Sequence, residues 1–220
     1  MNKPVIVYGN RSLAQMLLMD SRNSSDFQIV AFAVDREFLN DNRMFCGLIQ
    51  ICLEDIEKLY PPHFYDLIVV DGTNILKTKD PLINKVKDKG YTFRNYISPN
   101  SIVSPDLIMG YNNIVFEQAY IGQNGKLGNN NLIRQQVYLG HDFIIGDNNV
   151  FNPGVKVGGF LKCKSEVFVG LNSTVIDHIH LENKSIIGAG SLVLKDTEEN
   201  SLNLGNPSKN AKGDKNVSTK

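Results

Sequence analysis

From Ser101 onward an apolar residue returns at every sixth position. Cut into sixes from there, the chain reads SIVSPD, LIMGYN, NIVFEQ, AYIGQN and so on to SLVLKD. The third residue is apolar in all sixteen blocks, from Val103, Met109 and Val115 to Ile187 and Val193, and Gly follows it in eight. With 42% hydrophobic residues overall, chance gives that run at odds of roughly one in a million. Six fits neither the helical period of 3.6 nor the strand period of 2. It fits a coil with three short sides, one block per side, whose third residue points inward and whose glycine eases the corner. Eighteen residues then make one coil, and sixteen blocks make a little over five. Stacked coils form parallel ladders about 4.8 Å apart, and each buries its apolar row only against its neighbours. Handedness does not follow from the period. A right-handed solenoid or an irregular β fold is the alternative.

Residues 1–90 have a different pattern. Short apolar runs at Pro4–Tyr8, Phe27–Val34 and Tyr65–Asp71 read as strands, and 12–20, 54–60 and 81–89 as helices. The βαβαβ order predicts a small parallel sheet flanked by helices. Tyr91–Ser98 leads into the repeat, which occupies 91–200, and 201–220 form a tail.

Bulk properties narrow the function. Lys+Arg and Asp+Glu balance at 23 each, which argues against broad attraction to nucleic acid or membrane surfaces. Cys46, Cys52 and Cys163 are irregularly spaced and fit reduced thiols in a cytoplasmic protein. The N-terminus lacks the long apolar stretch of a signal peptide, and no run approaches the ~20 apolar residues of a membrane span.

Candidate chemistry lies in two places. After the first strand the chain offers Gly9, Asn10, Arg11 and Ser12 without the G-x-G-x-x-G fingerprint, so a dinucleotide is disfavoured. A strand-to-helix turn still aims N–H groups at an anion, and Arg11 can grip a phosphate. Asp35 and Gly72 end the next two apolar strands at the same sheet edge, where ligands bind. Alternatively, Gly9 and Gly72 only turn the chain and Arg11 is solvated.

On the repeat, His141 stacks under Gly159, and Gly159 under Asp177, each eighteen residues on. An imidazole beneath a bare glycine wall provides a general base beside an accessible backbone N–H, the pair that acyl transfer needs. Asp142 can orient the ring. An amine attacking a thioester directly needs no Ser or Cys nucleophile. A corner histidine facing solvent or a subunit contact is the alternative. His63 lies in a turn, and His178 and His180 face outward as solvated side chains. The three histidines of the repeat do not converge as zinc ligands require, so no metal is expected.

These residues carry a resemblance. Gly140-His141-Asp142 with Ile145-Gly146, the Val155–Gly159 segment, 169–173, 187–190 and the tail 204–209 are similar to the bacterial nucleotide-sugar acyltransferases of the sialic-acid O-acetyltransferase-like family. The resemblance implies a small Rossmann-like domain followed by a left-handed parallel β-helix, in homotrimers with sites between adjacent helices. It implies acetyl-CoA or another acyl-CoA as co-substrate and a nucleotide-linked amino sugar as acceptor. His141 matches the general base, Asp142 its acidic partner and Gly159 the donor to the thioester carbonyl. Leu171 and Ala189 match main-chain contacts to the pantetheine arm. Gly205, Pro207 and Lys209 match the tail near the CoA adenine and phosphates. Gly9 to Ser12, Asp35 and Gly72 match the nucleotide-sugar contacts. Members often carry Gly-x-Ser-Gly-His-Gly after the first strand, whereas this chain has Leu13 in place of the histidine, which leaves the sugar open. The expected reaction is transfer of an acyl group, acetyl first, to the amine of a nucleotide-linked aminodeoxysugar for O-antigen, capsule or glycan synthesis. O-acetylation of a free sugar such as sialic acid and a non-catalytic sugar-nucleotide-binding trimer are the rivals.

Overall fold

In the computed structural model, which describes residues 3–70 and 80–211, the chain divides into two units, Met1–Pro99 and Asn100–Lys220. The first unit holds β1 (Val5–Tyr8), α1 (Ser12–Ser21), β2 (Ile29–Val34), β3 (Met44–Phe45), β4 (Leu48–Cys52), α2 (Ile56–Leu59), β5 (Asp66–Val69) and α3 (Asp80–Lys87). The sheet order is β3-β4-β2-β1-β5, parallel except for β3. β1, inside the sheet, and β5, at its end, are buried along their whole length, as parallel strands covered on both faces require, and the outer side of β5 is bridged at Leu67 by Phe93. The β3–β4 hairpin is an addition to the expected pattern. Phe45 pairs with Leu48 across Cys46 (φ 50°) and Gly47 (φ 84°), a two-residue turn with both φ values positive.

The second unit is the three-sided coil. One face carries six parallel strands from Ile102–Val103 to Leu192–Val193, and the next carries five from Ile108–Met109 to His180–Leu181. Rungs pair eighteen residues apart, as in Tyr120 with Tyr138 and Leu139 with Val157. The inward residues are the predicted third positions. Val115, Ile133, Phe151, Val169 and Ile187 on the third face are fully buried in one continuous core. Cys163 is an inward residue too, and burial pushes its thiol well above the ordinary range, which leaves it inert.

Three expectations need correction. The glycine after each inward residue is not the corner. Left-handed φ falls two residues later, at Asn124 (57°), Asp142 (54°), Phe160 (58°) and His178 (61°), for example. The glycines instead permit close approach between coils: a Cβ at Gly122 would lie 2.1 Å from the Gly140 carbonyl oxygen. The stack also runs past the expected five coils. Leu202–Leu204 adds a parallel rung to the third face, and Lys209–Asn210 folds back on it antiparallel. Part of the expected tail therefore belongs to the ladder. That rung is shortened, pairing Ile186 with Leu202 sixteen residues on, and the tail accepts N–H bonds from Ile186, Gly188 and Leu192.

Candidate active site

The corner that follows the six-stranded face carries His141, Gly159 and Asp177 in one column. The imidazole Nδ1 lies 2.8 Å from Asp142 Oδ2. With Nδ1–H donating to a carboxylate, Nε2 keeps its lone pair. The left-handed backbone at Asp142, a conformation that Asp tolerates better than most residues, turns its carboxylate back to the preceding ring. Its other oxygen accepts from Asn124 Nδ2 at 3.1 Å, and the Asn124 N–H donates to Asp106 Oδ2 at 2.7 Å. Asp106, Asn124 and Asp142 thus form a second column, each eighteen residues from the next. Hydrogen bonds from Ser104 and the Asn124 backbone hold the Asp106 carboxyl below its ordinary range.

His141 rests on Gly159 as the eighteen-residue register requires. A Cβ at Gly159 would stand 2.7 Å from Cε1 and 2.8 Å from Nε2 of the imidazole. The free nitrogen therefore faces the bare backbone. The Gly159 N–H is not open as expected: it donates to Asp177 Oδ1 at 3.1 Å. The same device recurs on another corner, where Asn129, Asp147 and Ser165 N–H groups donate to side chains eighteen residues on. Beside this column a groove of about 320 Å³ runs over Tyr138, Lys156, Gly158, Thr174 and Ile176 to Asp177. His178 faces outward and is exposed, as expected, and in addition stacks on Phe160 with centroids 4.5 Å apart.

Leu171 and Ala189 lie together on another corner, the one that follows the third face. Ala189 N would be 2.5 Å from a Cβ at Gly170, and Gly190 N–H donates to the Leu171 carbonyl at 2.7 Å. The tail joins them there: Gly205 N–H donates to Ser191 Oγ at 3.1 Å, and Leu192 N–H donates to the Gly205 carbonyl at 3.1 Å. Pro207 and Lys209 follow in the turn and the antiparallel strand. Within one chain, the expected acyl-CoA residues and the base thus occupy different edges of the prism.

In the first unit Gly9 has φ 135°, and a Cβ there would meet the Val70 carbonyl oxygen at 2.3 Å. The turn it makes sets Arg11 at the N-cap of α1, with Ser12 as the first helical residue. Asn10 Nδ2 donates to the Phe38 carbonyl at 3.1 Å, and the Arg11 guanidinium sits 5.8 Å from the Phe38 ring centroid. A cavity of about 350 Å³ is lined by Asn10, Arg11 and residues 37–40. Glu37 and Phe38 were missed from the sequence. Asp35 already accepts from Tyr8 Oη at 2.9 Å and pairs with Lys85 Nζ at 2.6 Å, so its bonding to a base or ribose would compete with these partners. Gly72 lies outside the described residues.

Among the described residues no group of three or more His, Cys, Asp or Glu side chains is placed to hold a metal, and no helix is long and apolar enough to cross a membrane.

These observations define a left-handed parallel β-helix joined to a small parallel α/β unit. No family model matches the sequence. Solved structures share the architecture. The acetyltransferase domain of PglB from Neisseria gonorrhoeae superposes with TM-score 0.83 at 19% identity, covering 95% of this chain and 100% of that one. PerB from Caulobacter crescentus gives 0.82 at 22% identity, covering 96% and 97%. WeeI from Acinetobacter baumannii gives 0.76 at 17% identity, covering 94% and 98%.

Proposed function

We propose that this chain is an acyl-CoA-dependent N-acyltransferase that acylates the amine of a nucleotide-linked aminodeoxysugar, with acetyl as the group transferred. One observation carries this reading: an imidazole anchored at Nδ1 by Asp142 turns its free nitrogen onto the bare Gly159 backbone. The amine attacks the thioester carbonyl and forms the new C–N bond. His141 Nε2 takes the proton that nitrogen loses. The Gly159 N–H donates to the tetrahedral oxyanion, and the C–S bond breaks as the CoA sulfur receives a proton. Support comes from the neighbours: PerB was solved with CoA and GDP-perosamine, and the PglB domain with acetyl coenzyme A. Asn10, Arg11, Ser12 and Phe38 would take the nucleotide, with Arg11 on phosphate and Phe38 against the base. Leu171, Ala189 and the tail would take the pantetheine arm and adenine. Because the two corners are apart in one chain, a neighbouring copy of a trimer would bring its own beside His141.

The test is thiol release from several acyl-CoAs against GDP-, dTDP- and UDP-linked amino sugars and free sugars, with light scattering on the same sample. The reading expects turnover with a nucleotide amino sugar and a mass three times the 24.6 kDa chain. Turnover confined to free sialic acid would move the activity to O-acetylation, and no CoA binding by calorimetry would leave a binding protein.

Asp177 gives a sharper expectation. Its carboxylate sits where the oxyanion must come, and the side chain is exposed, so the bond is worth only about 1 kcal/mol after solvent screening. Asp177→Ala should raise kcat/KM for acyl-CoA by about 2–10-fold. A fall instead would mean that Asp177 contributes to substrate binding rather than yielding to it.

A further inference from the structure

Phe160 holds a backbone conformation that its side chain disfavours. Its φ is 58°, and the other left-handed non-glycine residues described on the solenoid are Asn, Gln, Asp, Glu, Lys and His. A bulky aromatic there is an outlier, and such strain gathers where a site needs it. The ring meets the His141 imidazole edge to face, with centroids 5.0 Å apart at 85°, and stacks on His178 at 4.5 Å and 7°. The Phe160 N–H also donates to the His141 carbonyl at 2.9 Å. Asp142 fixes only one atom of a side chain that is half exposed, which leaves the ring free to swing about that bond. A second contact, from the exposed Phe160 ring that is itself stacked on His178, restricts that swing.

We propose that Phe160 is a positioning residue that sets the plane of the His141 imidazole, with His178 as its brace. This rests on His141 being the base. Misplacing a reacting group by about 1 Å can cost about 10²-fold, so a strained corner is tolerable where it prevents that.

The test compares Phe160→Asn with Phe160→Tyr. Asn suits the left-handed backbone, as at Asn124 and Asn172, so that variant should fold with a Tm no more than about 2–4 °C below the parent. Its kcat should drop at least about tenfold while both KM values stay within about twofold. Phe160→Tyr keeps the ring and should stay within about twofold in kcat. A second readout needs no substrate: carbethoxylation of His141 by diethyl pyrocarbonate, followed by peptide mass spectrometry, should be about threefold faster in Phe160→Asn and unchanged in Phe160→Tyr. Parental kcat in Phe160→Asn, or a slowed variant with unaltered carbethoxylation of His141, would overturn the proposal. Absence of turnover in the parent protein would strike the underlying function, and the carbethoxylation rates would still decide whether Phe160 holds the ring.

Discussion

His141→Ala is expected to lower kcat by about 10²–10⁴-fold, the span of a positioned general base. The loss should fall on kcat and on kcat/KM alike, because the proton moves only as the C–N bond forms. KM for acyl-CoA should hold, since the expected arm contacts, Leu171 and Ala189, lie on another corner. The fold should hold as well: the imidazole is half exposed, and its removal opens no void in the buried column. Stopped-time thiol release and a thermal melt on the same preparation settle both points. Parental turnover in His141→Ala would remove the imidazole from the reaction.

The second large effect comes from adding one methyl group. In Gly159→Ala the new Cβ would stand 2.7–2.8 Å from the imidazole, closer than such contacts allow. What gives is the histidine, a surface side chain, rather than backbone. Once it rotates away, the 2.8 Å bond to Asp142 is strained or lost, and the methyl group fills the space proposed for the thioester. A fall of about 10²-fold in kcat/KM is expected, with the melting temperature within a few degrees of the parent. If activity is kept, the wall need not be bare, and the case for Gly159 beside the base fails.

The solenoid was legible because its rule is local and repeated: an inward apolar residue every sixth position survives irregularities elsewhere. The His141–Gly159 contact was legible for the same reason, since a fixed count of eighteen converts sequence distance into adjacency. What the count could not supply was side-chain reach and backbone sign. It put Asp177 above Gly159 but not its carboxylate on the N–H. Phe160 was legible too and was passed over: the sixth position of the blocks is rich in Asn, Asp and Gly, as at Asn112, Asn124, Asp142 and Gly154, the residues that tolerate left-handed backbone, and a Phe in that column stands out. The eight glycines that follow an inward residue read as corners in the sequence, because steric need between coils and rotational need at a corner leave the same letter. The buried Asn113–Asn131–Asn149 ladder, in which Asn131 and Asn149 N–H groups donate to the side chain eighteen residues earlier, was a periodic signal that could have been read. The β3–β4 hairpin turns on Cys46-Gly47, without the Asn-Gly or Asp-Gly pair that usually marks such a turn.

The shortened rung at Leu202–Leu204 bears on how the molecule behaves in a crowd. A stack of parallel coils has an unfinished surface wherever it stops, and an identical coil from another molecule could dock there and go on growing. Here the final turn of chain steps out of register, takes up the amide protons of Ile186, Gly188 and Leu192, and then reverses direction through Lys209–Asn210. A reversed strand is no template for a parallel newcomer. On the third face, among the described residues, the ladder therefore ends on a strand that a further parallel coil cannot continue in the same sense.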